Sequence, residues 1–166
     1  MSDYTWDERF RQLWDKAVTQ YTTGNRQPAS YHNPLLDEIG YTAQELYDFA
    51  EDWVKYQEPT FGTALLIAAA RRDYFLVVQK GKRTGHTIRM EDLPAKDASV
   101  AGLEWLPRVI EKARAKLRGE MPADLMYGCG GDRVFFKKVN VHPADFLRVV
   151  WAAHDDNQKI IDYVTR

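Results

Sequence analysis

A chain of 166 residues, 45% of them hydrophobic, carries enough apolar material to bury a core without staples, and its one cysteine excludes a disulfide framework or a cysteine-rich zinc site. A formal net charge of −1 excludes the strongly basic face of a non-specific nucleic-acid binder, so no nucleic-acid partner is expected. The opening Met-Ser-Asp-Tyr-Thr-Trp-Asp has neither a basic start nor an apolar run, and no apolar segment reaches spanning length; the expectation is no membrane partner and a cytoplasmic location.

Residues 5–21 read as a helix, because Trp6, Phe10, Leu13, Trp14, Ala17, Val18 and Tyr21 recur at three and four residues with charges between them. Gly24-Asn25 ends it, and residues 26–33 form a loop holding Tyr31-His32-Asn33. Residues 34–39 make one or two helical turns closed by Gly40. Thr42-Ala-Gln-Glu45 is a capping box, and Leu46, Phe49, Ala50, Trp53 and Val54 are the buried stripe of the helix it opens. Pro59 marks the start of a third helix from Thr60, apolar nearly all round over residues 63–70 and so central. Tyr74-Phe-Leu-Val-Val78 fits a minor strand as well as a helix; the lack of a following partner strand favours helix to about Lys80.

Residues 81–99, with Gly81, Gly85, Pro94 and many charges, are the most loop-like stretch. They suit a connection between residues 1–80 and 100–166 inside a single helical domain spanning 1–166. A helix over 102–118 follows, with Trp105, Leu106, Val109, Ile110, Ala113 and Leu117 on one face, Pro107 in its first turn and Gly119 as its stop. Asp132 is placed to cap a helix over 133–139, Pro143 opens 144–153, and Asp155 or Asp156 caps a last helix that turns Ile160, Ile161 and Val164 inward. Short links between successive helices imply a mostly all-α, irregular multi-helix bundle with antiparallel neighbours.

Chemistry concentrates in Tyr127-Gly-Cys129-Gly-Gly-Asp132. Gly128, Gly130 and Gly131 leave Cys129 uncrowded, and a cysteine just before a helix start meets free amide protons and the positive end of the dipole, a setting that favours the nucleophilic thiolate. On the preceding helix Arg108, Lys112 and Lys116 fall four apart; folded over the loop, that row would favour a phosphate, a carboxylate or a thiolate. The plainer readings are a small buried hydrophobe and a solvated helix face. Cys129 and Tyr127 are catalytic candidates, and His32, beside Tyr31 and Asn33 in a loop, is a third, suited to acid–base work near neutral pH.

Trp105, Tyr31 and Trp53 are candidate walls of an aromatic pocket between helices, with Arg108 and Lys112 holding an anionic ligand group. His32, His86, His142 and His154 form no pair at helical ligand spacing, so no metal is expected. The glycines of the loop lack the preceding strand of a dinucleotide fingerprint, so no cofactor is expected.

Trp105-Leu-Pro-Arg108-Val-Ile-Glu-Lys112-Ala-Arg114-Ala-Lys-Leu117-Arg-Gly119, then Tyr127-Gly-Cys129-Gly-Gly-Asp132-Arg-Val-Phe-Phe136, then Asp145-Phe146 and Asp155-Asp156, resemble an uncharacterised bacterial family known as domain of unknown function 5069, over residues 103–164. The resemblance implies a small helical bacterial protein and supplies no activity. It implies that Arg108, Lys112, Arg114, Tyr127, Cys129 and Asp132 occupy motif positions. The family tends to place Pro-Leu after the cysteine; Gly130-Gly131 stand there in this chain and make a looser loop. Two function classes follow: a small-molecule-binding protein or enzyme, or a non-catalytic interaction or regulatory module whose exposed aromatic and basic faces bind a protein partner, a second copy in a homodimer being one option.

Overall fold

The computed structural model describes residues 3–166, so the reading of the opening heptapeptide lies partly outside the described residues. Among those residues the chain forms eight α-helices and one two-stranded antiparallel sheet, in two compact units that meet in sequence between Lys82 and Arg83. No helix among them is long and apolar enough to cross a membrane.

The first unit contains α1 (Trp6–Thr22), a 3-10 turn (Pro28–Tyr31), α2 (Pro34–Ile39), α3 (Ala43–Tyr56) and α4 (Phe61–Val77). α1 buries Phe10, Leu13, Trp14, Ala17 and Tyr21, the stripe its periodicity marks, and packs chiefly on α3. Asn33 caps α2 by accepting the Leu35 N–H, Pro34 supplies the first turn, and Gly40 ends the helix in the left-handed region at φ 76°. Only glycine fits there: a Cβ would sit 2.6 Å from the Phe75 ring and 2.9 Å from the Arg71 guanidinium. The Thr42–Glu45 capping box forms in both directions at the start of α3.

Thr60 caps α4, whose buried residues include Ala64, Ile67, Ala68, Ala70 and Phe75. Residues 74–77 are helical, which removes the minor-strand alternative, and the helix ends at Val77 rather than Lys80. Arg71 is enclosed, its Nε–H bonded to the Gly40 carbonyl at 2.9 Å and one terminal nitrogen to Gln79 Oε1 at 2.6 Å.

The second unit contains a 3-10 turn (Met90–Asp92), β1 (Ser99–Val100), β2 (Leu103–Glu104), α5 (Leu106–Arg118), α6 (Gly130–Val139), α7 (Pro143–Ala153) and α8 (Asn157–Thr165). The hairpin pairs Ser99 with Glu104 and Val100 with Leu103 around Ala101-Gly102, both at positive φ, the requirement of a tight two-residue turn. α5 therefore starts four residues later than the apolar spacing suggests. Its N-cap is Trp105, held at φ 77°.

α5 packs on α7, and its buried set includes Arg108, Lys112 and Lys116 along with Leu106, Val109, Ile110, Ala113 and Leu117. The cation row is thus inside rather than solvated. Phe136 gathers Tyr127, Phe135 and Phe146 at ring-centroid distances of 5.9, 5.8 and 5.2 Å. His142 Nδ1 accepts the Ala144 N–H at the start of α7, and Asp156 accepts the Gln158 N–H at the start of α8.

Candidate functional site

α6 begins at Gly130, not after Asp132, so the cap is Cys129 in extended conformation and Asp132 stands at the third helical position. The reason lies in Gly128, whose φ of 84° turns the chain sharply enough for the helix to start through Gly130-Gly131. The Arg133 N–H bonds the Cys129 carbonyl at 2.9 Å, and the Arg133 guanidinium bonds the Gly128 carbonyl at 3.0 Å, which pins the loop against the helix it opens.

That shift turns Asp132 inward. One carboxylate oxygen accepts from Lys112 Nζ at 2.5 Å and from the Gly128 N–H at 2.9 Å; the other accepts from the Trp105 indole N–H at 2.8 Å. The Lys112 and Asp132 side chains are 1% and 0% exposed. Lys112 donates as well to Cys129 Sγ at 3.3 Å. Cys129 is half-buried and makes no disulfide. Trp105, Asp132, Lys112 and Cys129 thus form one continuous polar chain from the hairpin to the helix cap.

Backbone geometry is committed to this arrangement. A bulky residue in the left-handed region costs about 1–3 kcal/mol, and Trp105 is held there at φ 77°. Its indole lies against Gly131 so closely that a Cβ on Gly131 would be 2.5 Å from the ring. The indole N–H bond to a buried carboxylate and the glycine seat are what offset that cost.

Chemically, the cluster presents a sulfur at a helix N-terminus with an ammonium in contact and a carboxylate behind the ammonium. Such a set holds one ammonium between a carboxylate and a nucleophile, within hydrogen-bond reach of both. Among the described residues no group of three or more His, Cys, Asp and Glu side chains is assembled to hold a metal.

The other residues singled out in the sequence divide between the two units. In the second, the Tyr127 hydroxyl donates to the Pro143 carbonyl at 2.7 Å and its ring is core. Arg108 donates to the Pro94 carbonyl at 2.9 Å and lies 6.0 Å from the Trp105 ring centroid, so it braces the incoming loop. Arg114 bonds Glu111, the His154 carbonyl and Asn157, and so ties α5 to the start of α8.

In the first unit, His32 is exposed with Nε2 3.0 Å from Asp37. Tyr31 is buried, donates to the Asn25 carbonyl at 2.7 Å and meets the Tyr47 ring edge-on at 5.1 Å; burial pushes its phenol pKa up. Trp53 lies 6.4 Å from Trp14 along a groove of about 420 Å³.

Two members of the polar chain escape sequence reasoning in their actual roles. Asp132 reads as a cap, and nothing in its spacing from Lys112 announces an ion pair. Trp105 reads as one more apolar residue of a helix face. The only signal is Gly131, a second glycine beyond what the turn at Gly128 requires, which marks a close approach of another group.

No curated protein and no solved structure matches the chain. Residues 91–166, which hold the whole of this polar chain, match the model of the family described as Domain of unknown function (DUF5069), the uncharacterised family that the motifs from Trp105 to Asp156 resemble.

Proposed function

We propose that the protein is a small-molecule-binding protein or enzyme, soluble and cytoplasmic, that works through the Cys129 sulfur on a ligand carrying an anionic group. The observation that carries this reading is the 3.3 Å contact of Lys112 Nζ with Cys129 Sγ while Asp132 fixes the same ammonium from the other side. A lysine buried to this degree is not needed to solvate a surface, and its one charge is shared between a carboxylate and a nucleophile. The N-terminal amides of α6, at Gly130 and Gly131, offer an anionic group a place next to the sulfur. Arg133, whose guanidinium reaches the same loop, is the basic residue best placed to hold it. In this reading Arg108 braces the loop and Trp105 positions Asp132.

The test is the pH–rate profile of alkylation by iodoacetamide and by the anionic iodoacetate, in each case with attack of sulfur on carbon and loss of iodide. The expected result is a rate at pH 7 roughly tenfold above that of N-acetylcysteine, with iodoacetate gaining more than iodoacetamide. Lys112→Arg keeps a cation beside the sulfur and retains part of the gain; Lys112→Met loses it. A Cys129 that reacts no faster than N-acetylcysteine at pH 7 overturns the reading.

The alternative, a non-catalytic homodimeric interaction module, draws on the exposed Leu66 and Val77 of α4. Sedimentation at high concentration that shows only monomer disposes of it.

A further inference from the structure

The first unit carries a second constellation, unrelated to the thiol. A groove of about 420 Å³ is lined by Arg11, Trp14, Asp15, Val18, Thr19, Trp53 and Phe61, a size at the small-ligand end of the usual range of about 300–1,000 Å³. Three of these residues are aromatic and adjoin one another: the Trp14 centroid is 6.4 Å from that of Trp53, at 50°, and 5.8 Å from that of Phe61, at 66°. The rings are therefore inclined, not stacked; Trp14 is only 4% exposed and backs the groove, so Trp53 and Phe61 supply its accessible ring surface. Asp15 adds a carboxylate at the rim, 63% exposed. Aromatic faces with a nearby carboxylate attract a cation of low hydration, the quaternary ammonium above all.

The protein already places a cation there. The Arg11 guanidinium lies 4.5 Å from the Phe61 centroid. Other cation–ring contacts in this unit are built in. Arg26 sits 3.6 Å from the Tyr21 centroid and is bonded to the Tyr21 carbonyl at 2.5 Å; Arg72, over Trp6, is only 12% exposed. Arg11 is different: its side chain is 57% exposed, and its polar contact is a 3.4 Å approach to the equally exposed Asp15. A cation held by a ring face and a long, screened ion pair is readily displaced.

We propose that the groove walled by Trp14, Trp53 and Phe61 is a binding site for a small organic cation of the quaternary ammonium class, and that Arg11 is the resident cation such a ligand displaces. The ligand's charge takes the place over Phe61, its methyl groups meet the Trp53 indole, and Asp15 faces the ligand's charge once Arg11 has swung out.

The experiment titrates the full chain with choline chloride, at ionic strength fixed by sodium chloride, and reads the indole N–H resonances by NMR. 3,3-Dimethylbutan-1-ol, the neutral isostere, is titrated in parallel. The expected result is saturable movement of the Trp14 and Trp53 resonances, with Trp105 and Trp151 as unmoved references, and a roughly tenfold weaker effect of the alcohol. Arg11→Ala, at an exposed position that folding does not need, tightens choline binding roughly fivefold because the competitor is gone. Asp15→Asn weakens it. Equal binding of alcohol and choline shows an apolar groove only and overturns the proposal. So does weaker choline binding by Arg11→Ala, or no saturable shift in that variant.

Discussion

Lys112 Nζ and Asp132 Oδ2 stand 2.5 Å apart with both side chains out of solvent, and this single contact joins α5 to the first turn of α6. Removing one member of such a pair strands a charge in a medium that cannot solvate it, at a cost of about 3–5 kcal/mol. Lys112→Met should therefore destabilise by about that much. Asp132→Asn keeps the shape of the side chain but turns one of its two acceptor oxygens into a donor, so it cannot serve both the Gly128 and the Trp105 N–H groups and leaves Lys112 without a counter-charge; it belongs in the same range. The double variant strands no charge, so its loss should fall well short of the sum of the two singles. Urea unfolding of the four proteins gives the coupling, expected to exceed about 2 kcal/mol; a coupling near zero means the two side chains do not sense each other's charge.

Gly130 and Gly131 are neighbours in sequence and opposites in tolerance. A Cβ on Gly130 would meet nothing nearer than the Arg133 guanidinium at 3.8 Å, whereas one on Gly131 would lie 2.5 Å from the Trp105 ring. Gly130→Ala should be neutral or stabilising by up to about 1 kcal/mol, since it removes backbone entropy at a helical position. Gly131→Ala must push the indole off its seat and should cost about 1–3 kcal/mol. The same shift lengthens the indole bond to Asp132, so the Trp105 indole N–H resonance should move in Gly131→Ala and hold still in Gly130→Ala.

The helical fold is legible in the sequence wherever local chemistry decides. The capping box at Thr42, Pro34 with Gly40, and the apolar stripe of α1 each act within one or two turns, so they can be read without tertiary information. The hairpin at residues 99–104 is not legible, because two-residue strands show no alternation and the strong apolar spacing from Leu103 onward imitates a helix. The cation row of α5 reads equally as a solvated face or as a row folded over the cysteine loop, for a related reason. Burial of Lys112 is possible only because Asp132, twenty positions away in sequence, arrives beside it, and long-range pairing leaves no periodic trace. Cys129 is identifiable from its glycines; its lysine partner, its aspartate and the tryptophan behind them are assembled by the fold alone.

Glu120 gives the second unit a defined acid limit. Burial raises its carboxyl pKa, but the Arg118 Nε–H bond at 2.7 Å, with a Thr84 bond and the charges of Arg118 and His86, outweighs burial and holds the pKa below the usual carboxylate range. A folded-state pKa below the unfolded one means the contribution is present above about pH 4.5 and is lost as pH falls through the folded value. Glu120→Gln should be less stable than the parent by about 1 kcal/mol at pH 7, and the two should converge toward pH 3. Urea midpoints at pH 7, 5, 4 and 3 check this, and a constant gap across the series shows that ionisation of Glu120 is not the cause.

Tyr47 sets the opposite limit in the first unit. It is buried, and its hydroxyl donates to Glu51 Oε2 at 3.2 Å, an oxygen that also accepts from Tyr21. Burial first, and then the Glu51 charge, push its phenol pKa up to about 12. Burial acts in the same direction on Tyr31 and Tyr41. Unfolded tyrosines ionise near pH 10.0 while these stay protonated in the fold, so stability is fully present below pH 10 and falls as pH rises toward the folded value. Tyrosinate absorbance from these rings should therefore appear together with the loss of helical circular dichroism, not ahead of it. Tyr47→Phe cannot ionise in either state. It should lose about 1 kcal/mol at pH 7 for the missing bond to Glu51, decline less steeply above pH 10, and overtake the parent before pH 12, because the unfolded phenol ionises near pH 10.0 and the folded one only near 12. Parallel declines in the two proteins would assign the alkaline transition to groups other than Tyr47.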